Sequence, residues 1–441
     1  MDTNSNIPAQ KKIVSVEILH LDEFGYGPRG KHTRKEWRTE CFEHLVKGHN
    51  AFEHWQYSWL ESIDKNLKNK SFEARVTYTD DTVAPILRAI VTQKPYAFDF
   101  TGQVFDVEKN FNLYQFKQIT LFAGTIFRER VYFSESVFNE NIYFINAEFN
   151  DSAYFSQSIF MGNAYFSSAN FNKEVYFSNA NFVKSSYFNS LIVCKDARFS
   201  NAIFGGDADY RKAIFNGDVF FKNTEFNRYT YFMDVRFLSG VYFNNSIFIR
   251  DANFTNTFYL SDIAFSAASF NADVYFIKSI FDGSNAQILF NKIKFTNESA
   301  EVDFTDAGFN GLDSYINFRD TSFDGFNSLM DFTRTIFHGD SDFSNSYFSG
   351  RMIYFKSKFL STSTFKKCIF VGQANFENSV FENIGDFEDA NFEKFIPSFR
   401  GCKIDSTRIE FSEKSFFPKN DLSESGIKNI SFLKKLSSEH G

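Results

Sequence analysis

The chain has 441 residues, with 47 basic and 54 acidic side chains, a formal net charge of −7, and 63 Phe against only 6 Pro. This mildly acidic balance is neither the basic footprint of a nucleic-acid binder nor the charge density of a duplex mimic. The cysteines Cys41, Cys194, Cys368 and Cys402 have no paired spacing, which speaks against a disulfide framework and for a reducing compartment.

Residues 1–12 lack the apolar stretch of a secretory signal and read as a disordered leader. Residues 13–97 form a segment of their own, mainly helical, opening on a short strand at Ile13 to Leu19. From Thr33 to about Asn66 apolar side chains recur at helical spacing: Trp37, Cys41 and Leu45, then Phe52, Trp55, Trp59 and Ile63. Gly48 interrupts the run. The expected role of this segment is to cover the open end of whatever follows it. His44, His49 and His54, with Cys41 nearby, invite a metal reading. On a helix a spacing of five turns each His by about 140° from the last, and no HExxH or CxxC pattern is present. No metal and no cofactor is expected.

From Phe100 a step of eleven lands on Phe at 111, 122, 133, 144, 155, 166, 177, 188 and 199, with Tyr at 210 and Phe again from 221 to 276. A second series starts at Phe105, so Phe recurs at alternating spacings of five and six. The residue two before each Phe is small or β-branched, as Val131, Ala153 and Val175 before one series and Ser136, Ala147 and Ser158 before the other. Positions i−2 and i therefore face inward and i−1 outward, the strand alternation, and the Ser, Asn, Asp and Gly that follow mark turns. A coil of eleven residues would be a cramped two-sided sandwich about 10 Å thick. Twenty-two residues give four faces, each supplying one Phe and one small residue, with Phe100, Phe122, Phe144 and Phe166 stacked roughly 4.8 Å apart. Gln103, Lys109 and Tyr114 break the pattern in the first coil, as a junction would.

Two features depart from a plain coil. The outward i−1 residue is Tyr six times running, at Tyr132, Tyr143, Tyr154, Tyr165, Tyr176 and Tyr187, which makes two stripes of three on opposite faces. Over residues 282–330 the step lengthens to fourteen, and the enlarged turns beginning at 282, 296, 310 and 324 should protrude in pairs on opposite corners. Leu312, Phe326 and Leu329 are unusually apolar for turns. The stripes and these three residues are the candidate partner-binding positions. The repeat decays after Pro397. The region 403–441 reads as a tail ending in a short amphipathic helix at NISFLKKLSSEHG.

Units such as AYFSSANFNKE and VYFSNANFVKS resemble the pentapeptide repeats, in the Phe-rich branch with five-plus-six spacing. That resemblance implies an all-β solenoid over 98–402, a right-handed quadrilateral β-helix, with FEHLVKGHNAFEHWQ similar to the helical segment that precedes the coil in many members. Function follows less directly, because fold does not imply activity. No Ser/His/Asp or Cys/His set, paired buried carboxylates or phosphate-cradling loop emerges, so the expectation is a non-enzymatic protein–protein interaction scaffold. The alternatives are a DNA-mimic topoisomerase (gyrase) binder, as the gyrase-protecting members of the family are, and the regulatory part of a membrane-associated protein. No run approaches the roughly 18 apolar residues of a membrane span. The expected setting is cytoplasmic, with a protein partner, no nucleic acid, and homodimer formation left open.

Overall fold

The computed structural model describes residues 13–19, 26–60, 63, 72–78, 91–93, 96–404, 409–412 and 415. The leader at 1–12 and the tail helix lie outside the described residues. From Phe98 onward the chain winds as a parallel solenoid with four faces. Face I runs from Phe98–Asp99 to Ala374–Asn375, face II from Val104–Phe105 to Lys403–Ile404, face III from Lys109–Asn110 to Ile409–Glu410, and face IV from Gln115–Phe116 to Asn391–Phe392. Each face is a sheet of 13 or 14 short parallel strands. Val131 pairs with Ala153 and Tyr132 with Tyr154, so one coil takes 22 residues, as the volume argument required. Successive inward rings stack at 4.8, 5.0 and 5.0 Å for Phe100, Phe122, Phe144 and Phe166. Rings on adjoining faces meet edge to face, as Phe133 and Phe144 do at 74°. Both geometries suit the aromatic quadrupole.

The two spacings build different corners. After faces I and III the chain turns in four residues, closed at Phe133–Ser136 by the Ser136 N–H donating to the Phe133 carbonyl at 3.1 Å. The third residue of this turn lies in the left-handed region at every coil, as Glu135 (φ 59°), Asn146 (φ 55°) and Asn179 (φ 58°) do. Asn, Asp and Gly recur there because their local strain is lowest. The inward small residue that follows is often Ser or Thr, and its hydroxyl is satisfied within the core. Ser136 Oγ donates to the Phe111 carbonyl at 2.5 Å and Ser158 Oγ to that of Phe133 at 2.6 Å, each one coil below. Cys368 takes the same place, fully buried, with Sγ 2.9 Å from the Phe343 carbonyl. The eleven-residue corners after faces II and IV carry no such turn. The three-residue insertions enter at those corners and close turns of their own, the Ala286 N–H donating to the Gly283 carbonyl at 3.2 Å and the Ser328 N–H to that of Gly325 at 3.1 Å.

Ahead of the coil stand α1 (Arg34–Val46) and α2 (His49–Leu60), separated by Gly48 at φ 100°. Thr33 caps α1 reciprocally with Glu36, which places the start where the helical spacing put it. The same segment also contains an antiparallel sheet, ordered β1 (Ile13–Leu19), β2 (Phe72–Tyr78), β3 (Val91–Gln93). Only β1 was foreseen, although FEARVTY alternates with the period of a strand. The helices close the mouth of the coil. Phe52 packs on Phe98, Tyr114 and Phe116, with ring centroids 5.1, 5.8 and 5.5 Å away. Trp37 Nε1 donates to the Ala97 carbonyl at 2.7 Å. Arg34 pairs with the buried Asp99 at 2.9 Å. The irregular Tyr114 is therefore a contact of the cap.

Candidate interaction surfaces

The enlarged turns protrude in two hydrogen-bonded pairs. Turn 310–315 stands on turn 282–287 at the corner between faces II and III, where the Asn285 N–H donates to the Leu312 carbonyl at 2.8 Å. Turn 324–329 stands on turn 296–301 at the opposite corner, with the Asn327 N–H donating to the Glu298 carbonyl at 3.0 Å. The turns are thus extensions of the sheets rather than loose loops. Their upper members carry the two most exposed apolar side chains of the coil, Leu312 at 66% and Phe326 at 65%. One face of Phe326 is approached by Lys394 Nζ, 4.8 Å from the ring centroid. Leu329 does not belong with them. It opens the strand Leu329–Asp331, half-buried, between Glu301 and Arg351 in register. The insertion lengthens the following strand to three residues and draws Leu329 into it.

The tyrosine stripes form on opposite faces. Tyr132, Tyr154 and Tyr176 stack on face III at 4.7 Å, and Tyr143, Tyr165 and Tyr187 on face I at 4.6 and 4.7 Å. Each ring face is occupied by its neighbour, so only edges and hydroxyls point outward. Tyr143 is not a surface residue: it is 3% exposed in an outer apolar cluster with Ala97, Leu121 and Ile145. Burial pushes its phenol far above the ordinary range. On face III the column continues through Arg198, whose guanidinium lies 4.7 Å from the Phe220 ring, to Tyr242.

The stripes do not account for two further surfaces. On face I, Asp251, Asp273, Glu301, Asp303 and Asp331 lie within four successive coils, Asp303 directly beneath Asp331. Partial burial, then Asp303, Asp273 and Asp331, hold the Glu301 carboxyl above its usual range. On face IV several outward residues are aliphatic, among them Val137, Ile159, Ile203 and Ile247, with Met161 and Val183 beside them and Asn181 and Glu225 between. Among the described residues no group of three His, Cys, Asp or Glu side chains is placed to hold a metal. His44 stacks on Trp55, His49 lies against Tyr114, and His54 is exposed.

With this geometry in hand, the comparison with family models gives a likeness for part of the coil. A model for pentapeptide repeats matches residues 122–169, with nine copies. Residues 122–169 carry pentapeptide repeats. The parallel coil extends on both sides of the match, from Phe98 to Ile404. No curated protein and no solved structure matches the chain. Among the described residues no helix is long and apolar enough to cross a membrane.

Proposed function

We propose that this pentapeptide-repeat chain is a non-catalytic scaffold that binds a protein partner through its enlarged turns. The observation that carries this reading is the exposure of Leu312 and Phe326 on turns tied by main-chain bonds to the turns beneath. Apolar side chains at fixed protruding positions lose little freedom when buried by a partner, the property of an interface anchor. Leu312→Ser with Phe326→Ser is expected to weaken partner binding by roughly thirtyfold, the size of a hot-spot loss of about 2 kcal/mol. The inward ladder is untouched, so the melting temperature should stay unchanged. Capture from the native cell, run beside the unmodified chain, measures the first quantity and circular dichroism the second. Undiminished capture by the folded variant sinks the reading.

The acidic column on face I supports a second reading, the duplex mimic. Its reach is short. Duplex DNA carries one charge per ~1.7 Å, whereas the column ends after three coil steps of ~4.8 Å. Above and below it face I carries Tyr231 and Ile353 at the outward position. The expected result is no inhibition of a DNA topoisomerase at micromolar protein. Inhibition that fades steeply with added salt would raise the mimic above the scaffold.

A further inference from the structure

Face IV presents exposed aliphatic side chains over successive coils, and nothing in the turn-based reading uses them. On its strands Val137 and Ile159 are half-buried and Ile203 is exposed, with Asn181 between the last two, and Met161 and Val183, 43% and 40% exposed, stand in the neighbouring column. The rings beneath are nearly parallel: Phe138 and Phe160 differ by 9°, Phe160 and Phe182 by 2°, Phe182 and Phe204 by 2°. The face is therefore flat, where an ordinary sheet would twist by about 20° per strand. Its rows of side chains repeat every ~4.8 Å. An occupant covering several rows has to match that pitch, and the chain itself presents it.

We propose that face IV pairs with the same face of a second copy, the two rods antiparallel about a two-fold axis through the coil of Asn181 and Val183. This register brings the central apolar rows of the face together. One coil either side of the axis, Ile159 meets Ile203, and the projecting Met161 meets Gly205, which has no side chain to obstruct it. Two coils out, the half-buried Val137 meets the exposed Glu225, Asn139 meets Asn227, and the exposed Glu140 meets the exposed Arg228, so the apolar contact is confined to the three central rows. Val183 meets its own copy on the axis. Lys184 does so too, at the corner, where its alkyl stem carries the ammonium into solvent. Moving the axis one coil toward the C-terminus sets Lys184 against Arg228. Moving it one coil toward the N-terminus drives Met161 against Met161 and Val183 against Asn139. Isologous pairing of this kind is the commonest symmetry of soluble oligomers.

The matched rows span roughly 19 Å of the axis, at the small end of specific interfaces. The dimer is therefore expected to be reversible, with a dissociation constant in the micromolar range. Sedimentation velocity on the full chain across roughly 1–100 µM should show monomer passing to dimer. Ile159→Asp with Ile203→Asp should abolish the dimer. Glu140→Arg should weaken it about tenfold, and adding Arg228→Glu should restore it, a rescue that general loss of folding does not produce. Val183→Cys in a Cys194→Ser, Cys402→Ser background should be joined to its own copy by a short bifunctional thiol reagent, since facing sheets stand about 10 Å apart, too far for a direct disulfide. A chain that stays monomeric throughout overturns the proposal. So does a dimer indifferent to both the aspartate pair and the charge exchange, which would place self-association on another surface.

Discussion

Phe177→Ala is expected to lower stability by roughly 3–5 kcal/mol, the range for emptying a buried aromatic site. Phe177 is fully buried, with Phe155 stacked below at 4.8 Å and Phe199 above at 5.1 Å. Phe166 and Phe188 meet it edge to face at 5.2 and 5.6 Å. All four partners are themselves held in columns, so the coil has little freedom to collapse into the void. In a solenoid each unit contacts its neighbours alone, so the loss should concentrate in the adjoining coils. Denaturant melts give its size and hydrogen exchange its location. The control lies two residues further on. Asn179 faces outward with φ 58°, a conformation glycine adopts freely. Asn179→Gly should stay within about 0.5 kcal/mol, whereas Asn179→Val should cost about 1–2 kcal/mol by forcing a β-branched residue into the left-handed region. Equal losses for Phe177→Ala and Asn179→Gly would mean that the inward and outward faces are reversed.

That contrast marks where the sequence is legible. Every inward position recurs, so the ladder is written many times over, and the bulk of two opposed Phe decides 22 residues per coil against eleven. The conformation of Asn179 is less visible, because Asn in a turn is compatible with several backbone states. Leu329 was misplaced because an insertion of three residues does not say how many join the turn and how many the strand. Tyr143 repeats the motif of Tyr165 and Tyr187, yet its burial depends on Ala97 and Leu121 in the first coils, which no local pattern encodes. The aliphatic column on face IV had a usable signal. Val137, Ile159 and Ile203 are all i−1 residues of the second Phe series, and sorting alternate units separates them from the face II residues of that series, Glu148 and Asn170 among them. Reading each eleven-residue unit alone blends the two. The acidic column on face I is hidden in the same way, because the fourteen-residue steps place Asp273 and Glu301 28 residues apart in sequence while a single coil separates them.

At the N-terminal mouth, Phe52→Ala is expected to cost about 3–5 kcal/mol, again as a large-to-small change at a fully buried site. Its consequence differs from that of Phe177→Ala because of what lies beside it. Strand Gln115–Phe116 is the first of face IV, and among the described residues no strand pairs with its lower edge. Gln56 substitutes for that coil. Its Nε2 donates to the Gln115 carbonyl at 2.8 Å, and its Oε1 accepts from the Lys117 N–H at 3.3 Å. Gln56 is fully buried in α2, one turn from Phe52, so the ring that plugs the mouth also positions the amide that satisfies the edge. Loss of the ring should loosen α2 and leave those main-chain groups unpaired, at about 1–3 kcal/mol when buried without a partner. Gln56→Leu should show this second cost without the cavity. Both variants should lose hydrogen-exchange protection in the coils from Phe98 to Phe127 and keep it from Tyr354 to Phe392, since the core is continuous but contacts are nearest-neighbour. Both should also associate more readily, because an uncovered strand edge is a template for another chain. Protection lost evenly along the whole rod would show that the helices stabilise the solenoid globally, and unchanged protection in the first coils would show that they do not cap it.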